Sequence, residues 1–274
     1  MEPFPARLHV LLAREASVGV VIRRGPSNRV CTILWDRDKD KFKLGQWLKG
    51  RIYERRSDIS ADGKHFIYFA MNGKWQSESK GSWTAISRAP YLKAITIFPQ
   101  GDCWLGGGLF TERDKQGKNL YWLNSGGCEP LRTTSEVLED SHFVISKRFN
   151  SECLGVYYPR LQRDGWTLTE RQPTADLFEK PIGQGWLLRK IAHSQSKHPP
   201  GKGCYWDEHQ LVHPNRGKQV NYPDWEWAEL DNDRIVWAEG GCLFASKIDR
   251  DGLTGKKRLF DFNDMVFEPI EAPY

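Results

Sequence analysis

The chain is a succession of short apolar runs divided by turn-forming residues. Residues 8–12, 18–22, 30–35, 66–69, 83–87, 92–98, 120–123, 142–146 and 166–169 are rich in β-branched and aromatic side chains. The same pattern returns at 186–188, 204–206, 210–212, 234–238, 242–245 and 258–262. Short runs of this composition, bounded by Gly, Pro, Asn and Asp, predict strands. Residues 25–28, 124–127 and 150–152 are predicted turns. Residues 42–53 predict one strand broken by Gly45 and Gly50, and 133–140 a short helix or an ordered loop. No sustained apolar stripe of helical period is present, which argues against a helical bundle.

One stretch sets the pattern for the rest. Residues 58–70 read DISADGKHFIYFA: a polar opening, an Asp62-Gly63 turn, then Phe66, Ile67, Tyr68 and Phe69. Asp-Gly before such a run is a strong signal for a turn feeding a strand. Similar turn-then-aromatic units centre near Val20, Trp104, Leu154, Leu187 and Val236, with neighbouring centres 33 to 50 residues apart. That spacing brackets the roughly 40–50 residues of a propeller blade. The expected fold is therefore all-β: one β-propeller domain over residues 1–274, with five or six four-stranded blades. A sandwich or jelly roll also has many short strands but gives no reason for the recurring unit.

The stretch at 58–70 resembles the S-P-D-G-K-x-φ-A-F strand opening of TolB-like propellers, relatives of the WD-repeat family. Ala61 stands where that motif has Pro. Residues 231–238, DNDRIVWA, followed by GGCLF at 240–244, are similar to the same unit with its next strand. The resemblance covers about two repeats. It implies a propeller scaffold used for contact with other macromolecules, and no catalytic residues.

Composition narrows the class. With 39% hydrophobic and 27% charged residues, the chain fits a globular protein, not a disordered one. The net charge of +5 comes from interspersed signs, which argues against a nucleic-acid footprint. No apolar run approaches the roughly 18 residues of a membrane span. The start lacks a basic segment and a signal core. The six cysteines are far apart and form no Cys-x-x-Cys unit. A cytoplasmic monomer with free thiols is expected.

Candidate chemistry is sparse. There is no Gly-x-Ser-x-Gly, Walker or His-Glu-x-x-His unit. The densest polar cluster is CYWDEHQLVH at 204–213, with His193 and His198 before it. On a strand His209 and His213 share a face, with Cys204 on the other. These are weak metal candidates without a recognised zinc spacing, so a surface loop and hairpin are expected, with no metal and no cofactor. Asp36, Asp58, Asp102, Glu152, Glu170 and Asp233 lie near strand ends, where turn chemistry alone places acids. Twelve tryptophans are many for this length. Trp75, Trp83, Trp122, Trp166 and Trp225 sit near loops or strand ends, and Arg55-Arg56 forms a small basic site. Aromatics and Arg dominate contact hot spots, although a tryptophan also fills the space between blades. The expectation is a non-catalytic binding or scaffold protein that grips a protein partner by aromatic-rich rim loops. The alternative is a propeller enzyme acting on carbohydrate through carboxylates in a central cleft.

Overall fold

A computed structural model describes residues 4–25, 28–125, 128–145, 149 and 152–274. The turns expected at 25–28, 124–127 and 150–152, and the end of the 142–146 strand, fall on residues outside that description. The chain is nearly all β, 53% strand against 5% helix. Among the described residues the strands form five sheets, and within each sheet neighbours in sequence are neighbours in space. Where those neighbours are antiparallel, short connections suffice.

Two compact units are resolved. The first comprises Met1–Phe4, Val10–Arg160 and Val266–Tyr274, and the second Pro5–His9 and Leu161–Met265. The first sheet contains β1 (Arg7–Leu12), β2 (Val18–Arg24), β3 (Arg29–Asp36) and β4 (Lys41–Lys49). The second contains β5 (Arg51–Ile59), β6 (His65–Met71), β7 (Ser82–Arg88) and β8 (Ala94–Pro99). The third has β9 (Gly108–Arg113), β10 (Asn119–Leu123) and the short parallel β11 (Val137–Glu139). A helix, α1 (Leu154–Arg163), follows. The fourth sheet holds β12 (Thr167–Arg171), β13 (Ala175–Gly183), β14 (Trp186–Ser194), β15 (Tyr205–His213) and β16 (Lys218–Tyr222). The fifth holds β17 (Trp227–Asp231), β18 (Arg234–Glu239), β19 (Cys242–Ile248) and β20 (Leu253–Asp261). Successive antiparallel sheets of about four strands are consistent with the blades of a β-propeller.

Strand β6 explains why residues 58–70 read as they do. Its side chains alternate between two faces. Phe66, Tyr68 and Ala70 join Val20, Ile22, Val30 and Trp83 in one core. Ile67 joins Ile86, Phe110 and Tyr121 in another. A strand buried on both faces needs a continuous apolar run. The polar residues ahead of it tie the sheets together. Asp58 is buried, and its Oδ2 accepts from the Phe110 amide at 2.8 Å. Ser60 donates to Asp62 Oδ1 at 2.7 Å and accepts from the His65 amide at 2.9 Å.

Several expected elements differ. Residues 42–53 hold parts of two strands, divided at Gly50, whose φ is +154° and where a Cβ would sit 2.5 Å from the Met71 carbonyl oxygen. The unit at Cys103-Trp104-Leu105 is an exposed bend, with Trp104 69% exposed. The unit around Leu154 is helical. Cys153, Val156, Tyr157, Arg160 and Leu161 are all buried, a 3.6-residue spacing that the aromatic run conceals. Residues 133–140 contain β11, and 142–145 form no strand.

Candidate functional site

The sequence Tyr222-Pro-Asp-Trp225 links the fourth and fifth sheets of the second unit. Pro223 presets its own φ, Asp224 suits the next turn position, and the Trp225 amide closes the turn on the Tyr222 carbonyl at 3.2 Å. The turn swings Trp225 onto the fifth sheet. There it begins a column of rings. Trp225 stacks on Tyr222 with centroids 3.9 Å apart and on Trp237 at 4.8 Å. Trp237 stacks in turn on Phe244, its cross-strand partner, at 5.7 Å. The Lys256 ammonium lies 4.1 Å over the Phe244 ring. Trp225 and Trp237 are 3% and 2% exposed, so little ring surface faces solvent.

A carboxylate is fixed beside this column. Glu239 lies two residues beyond Trp237 on β18, on the same face. Its Oε2 accepts from Trp237 Nε1 at 2.9 Å and from Lys256 Nζ at 3.1 Å. Burial raises the Glu239 pKa, but the hydrogen bonds from Trp237 and Lys256 outweigh it and hold the group below the usual carboxylate value. Tyr222, Asp224, Trp225, Trp237, Glu239 and Lys256 line a cavity of about 330 Å³. Burial raises the Tyr222 phenol, so it stays protonated and able to donate.

Behind the column is a buried polar row. Lys190 on β14 pairs in register with His209 on β15, which pairs with Tyr222 on β16. Lys190 Nζ lies 2.9 Å from His209 Nε2 and 3.7 Å from Asp207 Oδ2. His209 Nδ1 lies 3.0 Å from the Trp225 carbonyl.

The residues singled out in the sequence are scattered. Trp225 alone among them lines the cavity. Trp166 is buried, donates from Nε1 to Glu229 Oε2 at 2.8 Å and carries Lys190 Nζ 4.9 Å over its ring. Trp83 belongs to a core of the first unit. Trp122 is half-buried against Phe143, and Trp75 is exposed in the β6–β7 connection. Arg55 is buried over the Tyr157 ring at 4.7 Å. Arg56 is 1% exposed. Its NH1 donates to the Cys103 and Leu105 carbonyls at 2.8 and 3.1 Å, and its NH2 pairs with Glu152. Both arginines lie in a bulge of β5 that turns them inward.

His209 and His213 are both buried, whereas Cys204 is exposed. His213 packs edge-on to Trp186 at 5.2 Å. Among the described residues no three His, Cys, Asp or Glu side chains converge as metal ligands. The acids proposed from sequence do not converge either. Asp58 and Glu152 are engaged as described, Asp36 and Asp102 cap the turns after them, Glu170 accepts from Gln172, and Asp233 faces Lys247 at 3.7 Å. The sequence reading passed over Tyr222, Asp224, Trp237, Glu239 and Lys256. The available signals were the Tyr-Pro-Asp-Trp turn and the alternation of Trp237 with Glu239.

No protein family matches the chain in sequence, and no curated protein does. Solved structures do. The GH43 protein BlXynB from Bacillus licheniformis is 12% identical over 99% of this chain and 60% of its own, with a TM-score of 0.32. A point mutant of it is 12% identical over 91% of this chain and 51% of its own, at 0.34. An uncharacterised protein from Listeria monocytogenes is 8% identical over 94% and 67%, at 0.32. The chain thus spans roughly half to two thirds of these proteins. The expectation of a non-catalytic scaffold is corrected: the solved structures that the chain matches include GH43 proteins. Among the described residues no helix is long and apolar enough to cross a membrane.

Proposed function

We propose that the chain acts on a carbohydrate held in the cavity beside Trp225 and Trp237. One observation carries the reading: aromatic side chains, two carboxylates and a lysine meet around a space of about 330 Å³. Sugar rings present apolar C–H patches to aromatic groups and hydroxyls to charged ones; here Tyr222 is the half-buried ring, with Trp225 and Trp237 stacked behind it. Glycoside hydrolysis uses two carboxyl groups, one ionised and one able to give a proton. Glu239, held ionised by Trp237 and Lys256, is assigned as base or nucleophile, and Asp224 as the second carboxyl group of the cavity. On this reading the five sheets count as five blades, not six.

The test is affinity electrophoresis of the whole chain in gels containing a panel of polysaccharides, with release of reducing sugar measured in parallel. At least one polysaccharide is expected to retard the protein, and Trp225→Ala to abolish the retardation. Asp224→Asn and Glu239→Gln are expected to stop sugar release while leaving retardation in place. A panel that neither retards the protein nor is cleaved by it sinks the proposal.

A further inference from the structure

We propose that Lys190 and His209 are positioning residues that set the place of Trp225 in the wall of the cavity. The inference deepens the carbohydrate reading and rests on it only for its consequence in binding.

The carbonyl of Trp225 faces His209 Nδ1. A carbonyl only accepts, so the His209 nitrogen 3.0 Å away must carry the proton, which makes Nδ1 the donor. In a neutral ring Nε2 then has a free lone pair. Lys190 Nζ, 2.9 Å from it, has only protons to offer and donates there. The two contacts select one protonation state: His209 neutral, protonated at Nδ1. A second proton on the ring would put an N–H against an ammonium. The selection is strong because both side chains are 1% exposed, where water cannot relieve a mismatch.

The lysine is held in turn. Its ammonium faces Asp207 Oδ2 at 3.7 Å and lies 4.9 Å over the Trp166 ring. Asp207 balances its charge, and the ring face supplies a further favourable contact. In-register pairing of Lys190, His209 and Tyr222 puts the row on one face of the fourth sheet. Trp225 is therefore fixed through both of its backbone polar groups, its amide by the Tyr222 carbonyl at 3.2 Å and its carbonyl by His209. With the backbone pinned, the indole is directed into the slot between Tyr222 and Trp237, which stack on it at 3.9 and 4.8 Å.

Two stacked indoles couple their transitions, so the Trp225–Trp237 pair gives an exciton couplet in circular dichroism that requires no ligand. The experiment measures that couplet, the imidazole nitrogen spectrum of the ¹⁵N-labelled whole chain, and polysaccharide retardation. Wild-type His209 is expected as the Nδ1–H tautomer. Lys190→Met, which keeps the side-chain length, is expected to mix the two tautomers, diminish the couplet and weaken retardation about tenfold, the worth of one ordinary hydrogen bond. His209→Phe is expected to lose the couplet. Should His209→Phe fail to fold, Lys190→Met still decides the matter. An unchanged couplet and tautomer in a folded Lys190→Met protein overturns the inference, even where a polysaccharide binds. A couplet that falls while no polysaccharide binds upholds it and removes the carbohydrate reading instead.

Discussion

The side-chain amide of Asn119 stands 3.0 Å from His65 Nδ1 and 3.1 Å from Asp62 Oδ1. An amide N–H donates to both, so His65 carries its own proton on Nε2, which faces Glu136 Oε2 at 3.5 Å. Glu136 is gripped by Arg88 through two hydrogen bonds of 2.7 and 3.0 Å. The polar opening of the 58–70 stretch is thereby tied into a network that reaches the third sheet through Asn119.

This network has a pH signature. Burial lowers the His65 pKa below its ordinary 6.5, and the proximity of Glu136 and Asp62 offsets only part of that. The unfolded chain then binds more protons than the folded one as pH falls. Stability from neutral His65 is fully present above about 6.5 and is lost as pH drops through the lower folded value. Urea midpoints measured at pH about 7.5 and about 5.5 should fall more steeply for the wild type than for His65→Gln. Parallel slopes would show that His65 is not the titrating group.

Arg56 belongs to the small basic site at 55–56, a candidate for contact or for pairing with acids, and its burial against Glu152 predicts a stability phenotype. Arg56→Met removes the donor to the Cys103 and Leu105 carbonyls and the ion pair of Arg56 with Glu152. Loss of one partner from such a set costs about 3 kcal/mol. Denaturant unfolding should show that loss. A variant with wild-type stability would mean that the loop at 103–105 is held by something else.

How much of this was legible follows from the range over which each signal acts. The strand openings at 58–70 and 231–238 were readable because turn chemistry and alternation are local. Helix α1 was not, because Tyr157 and Tyr158 suit a strand and only the spacing of Cys153, Val156, Tyr157, Arg160 and Leu161 shows its period. Arg55 and Arg56 read only as a small basic site, because the bulge that turns them inward is invisible in sequence. The cavity was hidden for a further reason. Tyr222, Trp237 and Lys256 come from three different strands or turns, and only sheet register brings them together. Trp225 was singled out from composition, while Glu239 carried no mark beyond following a tryptophan by two.

Gly107 tests how closely the 106–108 segment approaches β5. Its φ is +79°, and a Cβ there would sit 2.1 Å from the Arg56 carbonyl oxygen. Gly117 has a φ of +81° with nothing near a Cβ. Backbone strain alone should make Gly117→Ala cost about 1 kcal/mol. Gly107→Ala adds a backbone clash and should cost about 3 kcal/mol or more. Equal unfolding midpoints for the two variants would contradict the close approach.

Glu239 gives the last prediction, because its ionisation is what the proposed chemistry requires. Its folded pKa lies below the ordinary 4.5: burial works against the anion, and Trp237 and Lys256 prevail. A depressed carboxylate contributes its stability above the unfolded pKa and loses it as pH falls through the folded value. Any sugar release that needs ionised Glu239 should therefore persist below pH 4.5 before it declines on the acid side. Lys256→Met removes one of the two donors, so its acid limb should move to higher pH, toward that of an ordinary carboxylate. Lys256 is half-exposed at its side chain, so the fold should tolerate the change. The measurement is the pH–rate profile of both proteins on the polysaccharide that wild type cleaves. An acid limb at the same pH in both would remove Glu239 from the reaction, whatever its place in the cavity.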